Sequence, residues 1–458
     1  MANELLQRVI DEAGCTYAEL AREVRTVAGE MGNTRLRTNA SAVAHWVAGT
    51  RPIRATAHCL AEALSRKVGR PLTLEHIGLD QEGEPALEAG SITDVVGSLV
   101  RLGKADIDRH PSVTAAPYAV NAALPVGWGE STVTVAAQNR ILSIPEPGNG
   151  QRDHIEAIRT TTETFADLGR QYDGQHARSA VVQYLVSEAA PLCRAGLLGE
   201  QQRERALTAT ASLTALAGVK ACDGGEQGLA QQYFLRALEL TEAANDDRHA
   251  GFALSMLAHH GLEAGRPEHT LTLTSASLER ANGGLDPATE SMLRATHARA
   301  LAMAGRHQES LAEAARSTEL GAEADQDEMP YWAALWGPTA ACASSQLAKA
   351  AMHRGDLRTA EQLFAQTVVQ WRDAAYPATL ARVNVGFIQC RQGNLEQACA
   401  TWHQVLDSAA TIRSPRLVGY VVSMRKALGP FSRRGGRAAQ ELDERAAMWL
   451  KRCHLQPD

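Results

Sequence analysis

The stretch Leu347-Ala-Lys-Ala350-Ala-Met-His-Arg-Gly355-Asp-Leu-Arg-Thr-Ala360-Glu-Gln-Leu-Phe364 sets the architecture of the chain. Two runs of helix-forming residues flank Arg354-Gly355-Asp356, a stop for one helix and a start for the next. Ala348, Ala350 and Ala360 are small where two antiparallel helices would touch, and Leu363-Phe364 supplies bulk on the second helix. The same grammar recurs in the turns Ala264-Gly265-Arg266-Pro267, Ala304-Gly305-Arg306-His307 and Gln392-Gly393-Asn394-Leu395. Ala398 and Trp402 follow the last of these, whereas Thr270 and Ser310 stand in the alanine position of the earlier two.

The copy around Gly355 resembles the tetratricopeptide pattern. Repeats of roughly 34–40 residues of that kind stack into a right-handed superhelix with a concave groove. Helix, short turn, helix is the pattern from Arg152 onward, so residues 151–458 are expected to form this repeat domain. Composition agrees. Only 5% of the 458 residues are aromatic, and the long β-branched runs of a sheet protein are missing. The expected fold class is all-α: an N-terminal helix-turn-helix bundle, a proline-rich connecting segment and a tetratricopeptide-like α-solenoid.

Residues 1–80 read as four or five short helices. Leu5, Leu6, Val9 and Ile10 make one apolar face, and Thr16 with Glu19 forms a capping box for a second helix that Gly29 and Gly32 interrupt. Next comes Asn39-Ala-Ser-Ala-Val-Ala-His-Trp-Val-Ala-Gly49-Thr-Arg-Pro52, a short helix capped by Asn39 with Val43, Trp46 and Val47 on its apolar stripe. A further helix spans Ala55 to Val68. The formal net charge is −6, but residues 21–70 hold nine Arg and Lys against three acids, a local +6 that leaves −12 elsewhere. A basic patch around a small-faced helix is the electrostatic footprint of nucleic-acid binding. Ser41, Ala42 and His45 are placed to meet base edges in a major groove, and Arg51 and Arg54 to hold phosphates. Arg35 and Arg37 precede them in a loop that reads either as a backbone clamp or as a solvated basic turn.

This bundle resembles the helix-turn-helix of phage-repressor-like (XRE-type) proteins. It is closer still to a family of long actinobacterial regulators with the pattern Ser-Val-x-x-Trp-x-x-Gly-x-x-Pro. Here the segment is Ala42-Val43-Ala44-His45-Trp46-Val47-Ala48-Gly49-Thr50-Arg51-Pro52, with Ala42 in place of the serine. Asp223-Gly-Gly-Glu-Gln-Gly-Leu-Ala-Gln-Gln-Tyr-Phe-Leu-Arg-Ala-Leu238 is a second match to that family. The resemblance implies a sequence-specific transcriptional regulator of the kind that represses sporulation and antibiotic production. It further implies that Val43 and Trp46 are core and that Ser41, Ala42 and His45 face DNA; with Arg35, Arg37, Asn39, Arg51 and Arg54, read from the sequence itself, they make the candidate DNA-binding set.

Between the two regions, residues 81–150 form an expected linker. It opens on the acidic turn Asp80 to Pro85 and carries one helix from Ile92 to Ala105, with Val95, Val96, Leu99 and Leu102 inward. The stretch from His110 to Gln151 has five prolines and reads as a strap anchored by Tyr118 and Trp128, or as a hinge; Thr132 to Ala136 alternates like a short strand.

No residues are ordered for catalysis: neither a phosphate-cradling glycine loop nor a Gly-x-Ser-x-Gly elbow is present. The expectation is a non-enzyme with no cofactor and no metal; Cys399 and His403, with Cys390 nearby, read as packing rather than ligands. His259-His260 reads as the cap of a helix ending at Gly261. No segment is apolar enough to span a membrane, and eight scattered cysteines suit a reducing cytoplasm. In the groove, Arg294, His297, Tyr331, Trp332, Trp336, Arg382 and Asn384, placed on first helices of repeats, are the candidate ligand set; core packing of Trp332 and Trp336 is the alternative. Asp325 to Glu328 reads as an inserted loop at the groove mouth. Expected partners are double-stranded DNA, a second copy in a homodimer, and a peptide or small-molecule effector. The rival reading is a scaffold for a protein partner with a vestigial helix-turn-helix.

Overall fold

Helix boundaries follow from local chemistry. Asn3, Thr16, Asn39, Asp246, Asp286 and Asp356 each accept the backbone N–H three residues on, satisfying donors that a helix start leaves open. Thr16 and Glu19 complete the capping box. Gly265, Gly305, Gly355 and Gly393 end their helices at φ of 73°, 78°, 85° and 89°, a left-handed conformation that side chains resist. That requirement is why glycine marks every repeat turn.

The computed structural model describes residues 2–80 except 34, then 94–122, 149–194, 199–281, 284–325 and 328–455 except 411, 413 and 435. The described residues contain helices and no strand. They divide into two compact units, residues 1–158 with 179–245, and residues 159–178 with 246–458.

In the first unit, α1 (Glu4–Glu12), α2 (Tyr17–Glu30), α3 (Ala40–Val47) and α4 (Arg54–Val68) form a bundle. Its core is Leu6, Ile10, Leu20, Val24, Val43 and Leu60 with their neighbours. Then come α5 (Val95–Ile107), α6 (Pro111–Thr114), α7 (Asn149–Gln171, whose part from Arg159 belongs to the second unit), α8 (Arg178–Tyr184), a π-helical turn Leu185–Ala189 and α9 (Ala190–Arg194). The long pair α10 (Glu200–Asp223) and α11 (Gln227–Ala243) completes it. Residues 115–122 are an ordered strap. Gln231 of α11 clasps both the N–H and C=O of Ala119 at 2.8 Å, Val120 donates to Glu62, and Asn121 donates to the Ser65 carbonyl. Tyr118 is buried, as an anchor should be. Trp128, the alternating stretch 132–136 and the later prolines lie outside the described residues.

The second unit is built of helix pairs: α12 (Asp247–Glu263) with α13 (Pro267–Arg280), α14 (Pro287–Met303) with α15 (His307–Glu323), α17 (Thr339–Arg354) with α18 (Leu357–Gln370), and α19 (Ala375–Gln392) with α20 (Leu395–Ser408). A final pair, α21 (Pro415–Ser432) and α22 (Arg437–Leu455), closes the row, and the short α16 (Tyr331–Ala334) sits between the second and third pairs. The fold is an all-α, tetratricopeptide-like helical repeat. Ala360 and Ala398 are fully buried, and so are their replacements. Ser310 donates to the Ala298 carbonyl at 2.7 Å and Thr270 to that of Arg266 at 2.9 Å, which removes the penalty of a buried hydroxyl.

Several expectations shift. Leu5 is 42% exposed, because it lies about 100° around the helix from Leu6. Gly29 does not interrupt α2, which runs on to Glu30; Gly32, at φ 80°, is the break. α5 starts at Val95 behind the cap of Asp94, and Val95 and Val96 are only half-buried. α12 continues to Glu263, so His259 and His260 lie inside a helix and cap nothing.

Close packing gives a sharp test. A Cβ on Gly386 would lie 2.2 Å from Nε1 of buried Trp402, whereas one on Gly419 meets open space. Gly386→Ala should cost about 1–3 kcal/mol of overpacking strain, and Gly419→Ala should be neutral or stabilise by up to about 1 kcal/mol. Thermal and denaturant unfolding of both proteins decide it, and a Gly386→Ala protein as stable as the parent contradicts this packing.

Candidate functional site

α3 is fixed from below. Val43 and Trp46 are buried in the bundle core, Asn39 caps the helix through the Ala42 N–H at 2.9 Å, and Asn3 N–H donates to the Val47 carbonyl at 2.8 Å. The Arg25 guanidinium holds the Thr38 carbonyl just ahead of the helix. With the inner face settled, Ser41 and His45 stand exposed one turn apart, alongside Ala44 and Ala48. Ala42 is half-buried against the core, so the exposed alanines are its neighbours.

Arg35, Arg37 and Arg51 are exposed, and Arg51 donates to the Asp80 carbonyl at 3.0 Å. Arg54 is half-buried instead. Burial lowers the pKa of its guanidinium, and together burial and Arg54 push His58 down to about 4. Ile53, just ahead of α4 and between the arginines, is 73% exposed. The only trace of it in the sequence is an isolated isoleucine between Pro52 and Arg54.

All three acids of the basic window converge on Arg66: Glu62 at 2.7 Å, Glu30 at 2.8 Å and Glu23 at 3.8 Å. Burial would lower the Arg66 pKa, but the hydrogen bonds it donates to Glu30 and Glu62 outweigh it. Arg66 lies twelve residues along α4 from Arg54, about 18 Å at helical rise. Arg70 pairs with Glu12 at 2.8 Å.

On the repeats, the expected groove residues are separated. Arg294 and His297 are on α14, and Arg382 and Asn384 on α19. Tyr331 and Trp332 belong to α16, with Trp336 just beyond, so these three are not on a first helix. Arg294 is held by Glu290 at 2.7 Å and Glu313 at 2.9 Å; His297 shares a hydrogen bond with Thr274. Trp332 is buried, stacked on His249 at 4.9 Å, and its carbonyl accepts from the Trp336 indole. The Tyr331 hydroxyl donates to the Arg159 carbonyl, with that guanidinium 5.1 Å above its ring. Asn384 donates to the Leu380 carbonyl, and Arg382 is half-buried.

A different cluster was invisible to pattern reading. Glu263 Oε1 accepts from Arg299 and from Lys349, each at 2.7 Å, and Oε2 from Arg416 at 2.9 Å. These groups come from α12, α14, α17 and α21, the first helices of four pairs. Burial would raise the Glu263 carboxyl, but the three cations together hold it well below the usual range.

Among the described residues, no group of three or more His, Cys, Asp or Glu is placed to hold a metal ion, and no helix is long and apolar enough to cross a membrane. The His403 Nδ1 faces the Arg445 guanidinium at 3.0 Å, a poor neighbour for a cation.

Compared with known proteins, residues 6–80 match the family described as the SP15 N-terminal domain. No curated protein matches the chain. Among solved structures, a similar chain is described as "Crystal Structure of Rap Protein Complexed with Competence and Sporulation Factor", with 13% identity and a TM-score of 0.40 over 68% of this chain and 100% of that one.

Buried His249 carries a pH prediction. Burial pushes its imidazole from 6.5 down to about 3, and its Nδ1 is buried with no hydrogen-bond partner among the described residues. The unfolded chain takes up this proton near 6.5 and the folded chain only near 3, so the stabilisation is complete above 6.5 and drains away as pH falls toward 3. At pH 5 the loss from this residue is about 2 kcal/mol. Comparing unfolding at pH 7 and pH 5, His249→Phe, which keeps a ring over Trp332, should show a shallower decline than the parent. Equal declines would refute the assignment.

Proposed function

We propose that the protein is a cytoplasmic, sequence-specific DNA-binding transcriptional regulator with no catalytic activity, and a repressor of developmental or secondary-metabolism genes as the family resemblance implies. The observation that carries this reading is the presentation of α3. Its apolar side is locked by Val43 and Trp46, its start is capped by Asn39, and Ser41 and His45 project from the free side. Exposed Arg35, Arg37 and Arg51 flank it, while the three acids among residues 21–70 are tied to Arg66. Helix side chains then read base edges, and the arginines position the helix on phosphates. Ile53 adds an apolar contact of the kind a thymine methyl accepts.

One such bundle makes few phosphate contacts, so the active form in this reading is a homodimer that places two bundles on a palindrome. The repeat domain supplies the pairing surface and receives a peptide or small-molecule effector.

Genome-wide recovery of bound DNA, with the parent and a Ser41→Ala/His45→Ala/Arg51→Ala variant, tests the proposal. A palindromic motif should appear with the parent and vanish with the variant. On the recovered site, Arg35→Ala and Arg37→Ala should each weaken binding across sequences and reduce the slope of log K against log salt by about 1. A folded parent that recovers no motif would instead support a scaffold whose partner is another protein.

A further inference from the structure

The inner helices of the second unit gather three cations on a single carboxylate. Arg299, Lys349 and Arg416 all bond to Glu263. Arg299 is only 4% exposed, and its Nε–H is buried with no hydrogen-bond partner among the described residues. Gln346 uses its oxygen on Arg299 and its amide on His259, so it adds a dipole but no charge. A buried cation is costly, and a donor left unbonded adds to that cost.

Burial, together with Arg299 and Arg416, pushes Lys349 down to about 8 against the pull of Glu263. His353 on α17 feels Arg299, Lys349 and Arg391, and Tyr420 on α21 feels Arg416 and Arg299; in each case Glu263 is the acid that acts. Nevertheless the cluster is not sealed. Side-chain exposure rises from 5% at Arg299 to 13% at Lys349, 17% at Glu263 and 25% at Arg416. Solvent thus reaches one side of a site whose deep end holds a free donor.

We propose that this cluster is a binding site for an anionic group, a carboxylate or a phosphate, borne by a ligand. The group enters from the Arg416 and Lys349 side, takes hydrogen bonds from both and from Arg299, and competes with Glu263 for them. Glu263 acts as a built-in stand-in that keeps the cations paired when the ligand is absent. Because Glu263 on α12 reaches Arg416 on α21, 153 residues away, ligand entry loosens a tie between the two ends of the row of inner helices. This inference deepens the effector half of the proposed function and is measured without DNA, so its failure leaves the DNA-binding reading standing.

Calorimetric titration of the full chain with inorganic phosphate and with citrate, at constant ionic strength in chloride, tests it. Saturable one-site binding of at least one probe is expected, weakening above pH 8 as Lys349 loses its proton. Removing the internal competitor in Glu263→Gln should tighten binding about ten-fold, as loss of a tethered rival does. If that variant unfolds, Arg416→Gln, made at the most exposed member, should abolish binding while its helical circular dichroism matches the parent. Phosphate binding alone identifies a phosphoryl ligand and citrate alone a carboxylate; either result supports the site. Absence of saturable binding by both probes in the folded parent, or equal binding in folded Arg416→Gln, overturns it.

Discussion

The repeat domain depends on helices approaching one another more closely than ordinary side chains allow. A Cβ on Gly251 would sit 2.8 Å from the Ser277 carbonyl and 2.9 Å from the Ala281 methyl. At Gly386 the obstacle is the Trp402 indole, whose N–H donates to the Val383 carbonyl on the facing helix. Ala298, Ala348, Ala351 and Ala381 line the neighbouring crossings and are buried. Small residues give little apolar area each, so stability here comes from many short-range contacts at high packing density. Where a hydroxyl replaces alanine, it bonds to a backbone carbonyl, across the pair as Ser277 does to Gly251 and Ser291 to Ser317, or one turn back as Thr270 does to Arg266. Close crossing and polar satisfaction are met by the same atoms.

The first helices carry long side chains as well as small ones. Arg299, Lys349 and Arg416 converge on Glu263, while buried His249 stacks on Trp332 and stays neutral. The charged and the neutral ends of this interior thus belong to one packing scheme.

What the chain's letters reveal divides along sequence distance. The repeat turns are local, since a left-handed residue after a helix is a demand on one position, and Gly265, Gly305, Gly355 and Gly393 all meet it. The Thr16–Glu19 box and the Asn39 cap are equally local, and so is the burial of Val43 and Trp46 against the exposure of Ser41 and His45. Leu5 and Gly29 were misread because helical phase and helix persistence depend on what packs beside them. The aromatic residues 331–336 looked like a ligand surface for the reason that they make good core, and their partners His249 and Phe252 are about 80 residues away. Glu263 lay further still from Arg416, and no periodicity connects the two.

Within the first unit, α4 performs two tasks that share atoms. Its first turn brings Arg54 and exposed Ile53 next to the end of α3, and its later turns bind the strap. Glu62 accepts from Arg66 and from the Val120 N–H with the same oxygen, and the Ser65 carbonyl accepts from Asn121. The strap is gripped in turn by Gln231, and Gly228 leaves room for it because a Cβ there would strike the Ala116 and Pro117 carbonyls. A rigid helix with the basic face at one end and the strap's anchors toward the other transmits displacement without needing to bend. The strap thus links α11 to α4, the helix that begins beside the basic face, through four hydrogen bonds, two to Gln231 and one each to Glu62 and Ser65.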